Sequence, residues 1–145
     1  MDAEDPDTQA ARMDGARRFI AALPHAVALD LRVEGVAPGM AEMSMPWSER
    51  IVGDPATGVI HGGAVSTLMD TSCGAAVLSH PEAGHGTATM DLRIDYMRGA
   101  VPGQRIVARA ECMHVTRSVA FVRAEARDDD GLVAVGNGSF TVDRP

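Results

Sequence analysis

The sequence predicts a single α+β domain in which an antiparallel sheet carries helices on one face. Three observations lead to this prediction. The length of 145 residues fits one domain with a substantial buried core. The composition, 46% hydrophobic and 23% charged, is typical of a globular chain rather than a disordered one. The order of local patterns is one helix, two strands, one long apolar helix and four strands.

The N-terminal segment is acidic and then helical. Five of the first fourteen residues are Asp or Glu against a single Arg, so this segment carries more than half of the net charge of −7. Residues 7–23 have the spacing of an amphipathic helix, which Pro24 is expected to end. We therefore divide the chain into an acidic segment and helix, residues 1–24, and a single folded domain, residues 25–145.

Two strand patterns follow, in residues 27–34 and 36–45, around a turn at Gly35 or at Pro38-Gly39. Residues 46–58 are rich in Pro, Gly and Asp and predict a loop. This loop leads into the longest apolar stretch of the chain.

A helix is predicted over residues 61–79, and it is apolar nearly all round. Its single carboxylate, Asp70, falls at the centre of the run, which together with the Gly and Ser content disfavours a membrane span. A helix without a solvated face is normally enclosed on most sides. We therefore expect a curved sheet to wrap this helix and a second copy of the chain to cover it.

The C-terminal half contains only strand patterns. Residues 89–96 alternate strictly between apolar and polar side chains, which is the period of a half-buried strand. Further strands are predicted at 104–115, 118–127 and 132–142, and the acidic run at 128–130 is expected to form a solvated hairpin turn.

Charge and cysteine content exclude several classes of function. The 20 carboxylates outnumber 13 basic residues, all of them Arg, which argues against a nucleic-acid partner. The first residues are acidic, so no secretory signal is expected. Two cysteines are too few for a disulfide scaffold, so reduced thiols and a cytoplasmic location are expected. His80, Glu82 and His85 do not make a convincing ligand set, so no metal and no cofactor are expected.

The residues most able to carry chemistry lie at the start of the central helix. Two adjacent glycines, Gly62 and Gly63, allow a ligand to approach free backbone N–H groups at the positive end of the helix dipole. Asp70 would be a costly buried carboxylate unless it is paired, solvated or functional. Eight helical residues separate Gly62 from Asp70, about 12 Å at 1.5 Å per residue. A site that uses both therefore requires two antiparallel copies of the helix.

The motif His61-Gly62-Gly63, with Leu68 and Asp70 at fixed distances, resembles the signature of hotdog-fold acyl-CoA thioesterases of the phenylacetate-pathway (PaaI-like) group. The strand 89–96, which ends in Tyr96, is similar to a second strand of that group, and the likeness covers about residues 30–142. The resemblance implies an antiparallel sheet wrapped around a long central helix. It also implies homodimers that pair into dimers of dimers.

The same resemblance implies roles for individual residues. Gly62 would donate its N–H to the thioester carbonyl, Asp70 would act as a base for water or as a nucleophile, and Thr89 would help to orient the water. His61 would position the helix start, with Gly63 beside it at the substrate. Two structural alternatives stay open: the glycine motif is only a turn and helix cap, or Asp70 pairs with an Arg at a dimer seam.

Three further residues are candidate substrate contacts. Members of the group often carry Asn-Pro shortly before the glycine motif, whereas this chain has Asp54-Pro55 one residue further away. The role of the Asp54 side chain is therefore open. Arg117 and Ser118, between two predicted strands, are candidates for meeting coenzyme A phosphates, with a solvated turn as the alternative.

The function implied is hydrolysis of an acyl- or arylacetyl-CoA thioester to a free acid and coenzyme A, without a cofactor. One alternative is a non-catalytic hotdog module that binds acyl-CoA. Another is a hotdog dehydratase, which would need a catalytic His paired with an acid that the sequence does not offer. Nine Met and many Ala indicate an adaptable apolar pocket, for either a medium aliphatic chain or a phenylacetyl ring.

Overall fold

A computed structural model describes residues 4–144 of the chain. Over this range it contains three α-helices, eight β-strands and one 3-10 turn at Glu49–Ile51. In chain order the elements are α1 (Pro6–Ala21), α2 (Pro24–Ala28), β1 (Arg32–Ala37), β2 (Met40–Met45), β3 (Val52–Asp54), β4 (Val59–Ile60), α3 (Gly62–Ser79), β5 (Thr89–Tyr96), β6 (Ile106–Val115), β7 (Val119–Asp128) and β8 (Gly131–Thr141).

Six strands form one antiparallel sheet in the order β1-β2-β6-β7-β8-β5, and β3 pairs with β4 in a separate ribbon. The central helix α3 lies against β2, β6 and β7 in the middle of this sheet. This arrangement confirms the predicted α+β class and the hotdog fold. Strand β5 is an edge strand, and within residues 4–144 it pairs with β8 alone.

Helix α3 is buried along most of its length, as its apolar composition predicted. Fully burying one large aliphatic side chain contributes about 1.5–3 kcal/mol, so this helix anchors the core. Among residues 4–144, none of the helices combines the length and apolarity needed to cross a membrane. The fully buried apolar side chains of α3 are Leu68, Met69, Cys73, Ala76 and Val77, and they share one core cluster with Met43, Met45, Ile106 and Phe140.

The N-terminal region differs from the prediction in two places. Pro24 does not simply end a helix; it also begins α2, because a proline lacks the N–H that a first helical residue leaves unused. The strand predicted at 27–34 is therefore helical at its start and extended only from Arg32. The turn between β1 and β2 lies at Pro38-Gly39, where Gly39 adopts a φ of +72°, whereas Gly35 sits inside β1 at a register shift.

The acidic run at residues 128–130 is not simply a solvated turn. The side chain of Asp128 is fully buried and pairs with Arg98, which donates from Nη1 to Oδ2 at 2.8 Å. The carboxylate also accepts the backbone N–H groups of Val101 and Asp130. The hydrogen bond from Arg98 is the main reason that the pKa of Asp128 lies well below its usual range. This cluster ties the β5–β6 connection to the β7–β8 hairpin.

Replacing Asp128 by Ala is expected to lower the free energy of unfolding by about 3 kcal/mol, because it leaves a charge and two amides unpaired. The melting temperature should fall by about 10 °C. Thermal unfolding followed by circular dichroism measures the change, and Asp129→Ala in the same hairpin is the matched control. A melting temperature equal to that of the control would contradict a stabilising role for the pair.

Candidate active site

The start of α3 is capped by its own histidine, and this leaves one backbone amide available. The Nδ1 atom of His61 accepts the N–H of Gly63 at 2.8 Å, and the His61 carbonyl accepts the N–H of Ala64 at 2.9 Å. The Gly62 N–H has no hydrogen-bond partner within residues 4–144. Among these three amides of the first turn, Gly62 alone is free to meet a ligand at the positive end of the helix dipole.

The two glycines of the motif serve different purposes. A Cβ atom on Gly63 would lie 2.9 Å from Nδ1 of His61, so a side chain there would displace the capping ring. A Cβ atom on Gly62 would meet only ordinary contacts, the nearest at 3.6 Å on the ring of Tyr96. The requirement for glycine is therefore steric at Gly63, whereas at Gly62 the useful group is the exposed amide.

Tyr96, which sequence reasoning did not assign to the site, holds this helix end from the sheet side. Its hydroxyl donates to the carbonyl of Gly62 at 2.8 Å. Tyr96 is the last residue of the edge strand β5 and is 48% exposed. Its side chain therefore reaches the helix from the edge of the sheet. The signal available in the sequence was that Tyr96 is the chain's single tyrosine, at the end of the most regular strand.

Eight residues further along α3, Asp70 contacts Thr89 of strand β5. The Thr89 hydroxyl donates to Oδ1 of Asp70 at 2.7 Å. The second oxygen, Oδ2, has no hydrogen-bond partner in the described part of the chain. Asp70 is half-buried rather than fully buried, because β5 is an edge strand and covers this side of the helix incompletely.

A cleft of about 320 Å³ opens beside the Asp70–Thr89 pair, and we refer to it as the Asp70 cleft. Most of its wall is apolar, which suits a hydrocarbon group rather than a charged one. It lies between α1, α3 and the segment that leads into β5. Its lining consists of Phe19, Leu23, Asp70, Thr71, Gly74, Ala75, Leu78, His85, Gly86, Thr87, Ala88, Thr89 and Phe140.

A separate cleft of about 360 Å³ adjoins the start of α3. His61 and Gly63 line it together with Arg50, whose guanidinium supplies positive charge at this end of the helix. The two clefts share no lining residue. Gly62 and Asp70 lie eight residues apart on α3, about 12 Å at 1.5 Å per residue, so one small carbonyl cannot reach both within a chain.

Asp54 lines neither cleft. Its two carboxylate oxygens accept the N–H of Ala56 at 3.0 Å and the hydroxyl of Thr57 at 2.7 Å, which closes the turn between β3 and β4. These hydrogen bonds, the one from Thr57 first, hold the pKa of Asp54 below its usual value. The adjacent Gly53 packs so closely that a Cβ atom there would lie 2.7 Å from Cα of His61. The turn thus supports the helix start from behind.

Arg117 and Ser118 lie in the exposed turn between β6 and β7. The carbonyl of Ser118 accepts the N–H of Val142. The residue before Val142, Thr141, donates its N–H to the carbonyl of Ala88, which immediately precedes β5. The turn is therefore about two strand spacings, ~10 Å, from the end of the sheet where the Asp70 cleft opens. The structure brings Arg117 to that end of the sheet but does not place it in the cleft.

With this geometry established, the comparisons with known proteins identify the family. The family model described as "Thioesterase superfamily" matches residues 57–135, more than half of the chain. The chain belongs to the thioesterase superfamily. It is therefore a thioester hydrolase, and the predicted resemblance to hotdog thioesterases is confirmed. The matched residues run from the β3–β4 turn through α3 and most of the sheet.

Individual relatives of this thioesterase are similar over most of their length. A medium/long-chain acyl-CoA thioesterase, YigI of Salmonella typhimurium, is 26% identical over 138 residues, which is 86% of this chain and 88% of that protein. A crystal structure from Pseudomonas aeruginosa is 40% identical, with a TM-score of 0.79 and coverage of 90% and 98%. The phenylacetic acid degradation protein PaaI of Thermus thermophilus is 28% identical, with a TM-score of 0.74 and coverage of 83% and 99%.

The two cysteines of the thioesterase are free and buried. Burial is the main reason that the pKa of the Cys73 thiol is raised to about 12, with a further contribution from nearby Asp70. Burial also raises the pKa of Cys112. Neither thiol is a candidate nucleophile, since the thiolate is the reactive form. Within residues 4–144 no group of three His, Cys, Asp or Glu side chains is arranged to hold a metal ion.

Proposed function

We propose that this thioesterase hydrolyses acyl-CoA as a homodimer whose active sites each combine Gly62 of one chain with Asp70 and Thr89 of the other. The observation that carries the proposal is an amide and a carboxylate oxygen that have no partner among residues 4–144 and lie eight residues apart on one helix. Both groups suit thioester hydrolysis, yet one carbonyl cannot reach both within a chain.

The edge strand β5 supports pairing with a second copy. Met90 and Tyr96 on this strand, and Met97 just after it, are each about half exposed although they are large and apolar. An unpaired edge that carries such side chains is suited to pairing with another strand.

The direction of β5 determines what a two-fold dimer would bring together. Tyr96 at one end of the strand touches Gly62, and Thr89 at the other end touches Asp70. Antiparallel pairing of two β5 strands places the end of one beside the start of the other. Gly62 of each chain would then lie near the partner's Asp70. Two such dimers would associate further into a dimer of dimers.

The chemistry follows from these positions. The Gly62 N–H donates a hydrogen bond to the thioester oxygen, on which negative charge develops, as an oxyanion-hole amide does. The partner's Asp70 either takes a proton from the attacking water or attacks the carbonyl itself, in which case water hydrolyses the resulting mixed anhydride. In both routes the carbon–sulfur bond breaks and coenzyme A leaves as a thiolate that takes up a proton. Thr89 holds one oxygen of Asp70 and leaves the other for this step.

The two ends of the substrate have separate places in this proposal. The acyl group enters the mainly apolar Asp70 cleft. A medium or long aliphatic acyl group is favoured, because the YigI relative is a medium/long-chain acyl-CoA thioesterase. Arg117 and Ser118 are proposed to meet the coenzyme A phosphates from the exposed β6–β7 turn. We assign His61, Gly63 and Asp54 to supporting the helix start, because their side chains or backbones are engaged there.

Thiol release from acetyl-, octanoyl-, palmitoyl- and phenylacetyl-CoA tests the proposal directly. We expect turnover of at least one of these substrates by a dimeric or larger species, with no loss of rate after treatment with EDTA. Sedimentation on the same preparation measures the oligomeric state. Tight acyl-CoA binding without thiol release would instead identify a non-catalytic binding module, and a fully active monomer would eliminate the shared site.

A further inference from the structure

A second, separate cleft adjoins the Asp70 cleft along helix α3. It has a volume of about 300 Å³, and we refer to it as the distal cleft. Four residues line both clefts, so the two spaces share one wall. These shared residues are Phe19, Ala75, Leu78 and His85.

The order of residues along α3 shows how the two clefts are arranged. The Asp70 cleft uses Asp70, Thr71 and Gly74, whereas the distal cleft reaches Ser79 at the C-terminal end of the helix. An acyl chain whose carbonyl lies at Asp70 would therefore run toward the end of the helix. It would reach Leu78 after about 12 Å, at 1.5 Å per residue.

Phe19 is the largest of the four shared side chains and belongs to a different element from the reacting residues. It lies near the end of α1, where the neighbouring Ile20 is buried and anchors the helix. The Phe19 ring is 45% exposed, so core packing does not require it. Helix α1 is also fixed to β1 by Gln9, whose side chain donates to the Val36 carbonyl at 2.9 Å. The ring is thus held by a fixed helix at the boundary between the clefts.

We infer that Phe19 sets the acyl-chain length that this enzyme accepts, by closing the Asp70 cleft against the distal cleft. This inference rests on the proposed acyl-CoA hydrolysis. The distal cleft offers apolar wall beyond the ring, at Ala16 and Val36, that a longer chain would occupy if the ring were absent. Each further buried methylene should raise kcat/KM about fourfold, from a transfer free energy of about 0.8 kcal/mol.

Two substitutions at this position should move the chain-length optimum in opposite directions. Phe19→Ala joins the clefts, so the substrate with the highest kcat/KM in a saturated acyl-CoA series should lengthen by at least about two carbons, a gain of more than tenfold for the longer substrate. Phe19→Trp narrows the passage and should shorten the optimum.

Phe121→Ala is the matched control, because Phe121 is 46% exposed and lines neither cleft. Its chain-length profile should equal that of the wild type. If Phe19→Ala folds poorly, as judged by its melting temperature, the chain-length profile of Phe19→Trp alone tests the inference. An optimum that neither variant moves would overturn the inference while leaving the proposed function intact. A wild-type enzyme that releases no thiol from any acyl-CoA would remove the proposed function, and the inference with it.

Discussion

Replacing Asp70 by Asn should lower the rate of thiol release at least about a hundredfold, the lower range for losing a general base. Asn keeps the size of the side chain and can still accept the hydrogen bond that Thr89 donates to Oδ1. The fold should therefore be retained, and acyl-CoA affinity should change little because the carbonyl is bound by the Gly62 amide. Thiol-release rates, calorimetric acyl-CoA binding and the melting temperature are measured on one preparation.

The control for this experiment is Asp129→Asn, which changes one charge on an exposed hairpin. It should leave the rate unchanged. A folded Asp70→Asn protein with near wild-type turnover would rule out Asp70 as the catalytic group. Loss of the dimer together with a large fall in melting temperature would favour the structural alternative, in which Asp70 pairs with an Arg between subunits.

Gly62→Pro should lower kcat about 10²–10³-fold, the usual effect of removing one oxyanion donor. Proline is well tolerated at the first position of a helix, and His61 already has the extended conformation, φ −59° and ψ 132°, that a residue before proline prefers. The substitution therefore removes the amide while α3 still begins at the same place. Gly62→Ala retains the N–H, and its Cβ atom meets no contact closer than 3.6 Å, so it should keep near wild-type activity.

Mixing the two inactive variants separates a shared site from a site within one chain. In a heterodimer of Asp70→Asn and Gly62→Pro subunits, one of the two shared sites has both wild-type groups. Random association should then restore about a quarter of the wild-type sites. Two variants that stay inactive after co-expression, although they form dimers, would contradict the shared site. A Gly62→Pro enzyme with unchanged kcat would show that this amide does not bind the oxyanion.

The accuracy of sequence reasoning followed the strength of the local pattern. Strand β5 was predicted at its observed bounds, because eight strictly alternating residues fit the two-residue period of a strand and not the period of a helix. Helix α3 was predicted to within a residue at its start, where His61 caps it. The hydrogen bond between Thr89 and Asp70 could not be predicted, because no local pattern indicates which strand lies beside that turn of the helix.

The errors came from residues whose role depends on distant parts of the chain. Pro24 can end one helix or begin the next, and only the packing of α2 decides between them. The acidic run around Asp128 has the pattern of a solvated turn, because the arginine that pairs with Asp128 lies 30 residues earlier in the sequence. Tyr96 was assigned to a strand face because nothing local indicates that its hydroxyl reaches a carbonyl 34 residues away.

The buried thiol of Cys73 lies one helical turn from the carboxylate proposed to drive hydrolysis. A thiolate near an acyl-CoA would compete with water for the acyl group by transthioesterification, and it would also exchange with coenzyme A disulfide. With a pKa of about 12, nearly all of this sulfur stays protonated at neutral pH, and burial keeps it away from the substrate. The apolar packing that stabilises α3 would thereby protect the enzyme from acylation by an acyl-CoA substrate and from thiol exchange with coenzyme A disulfide.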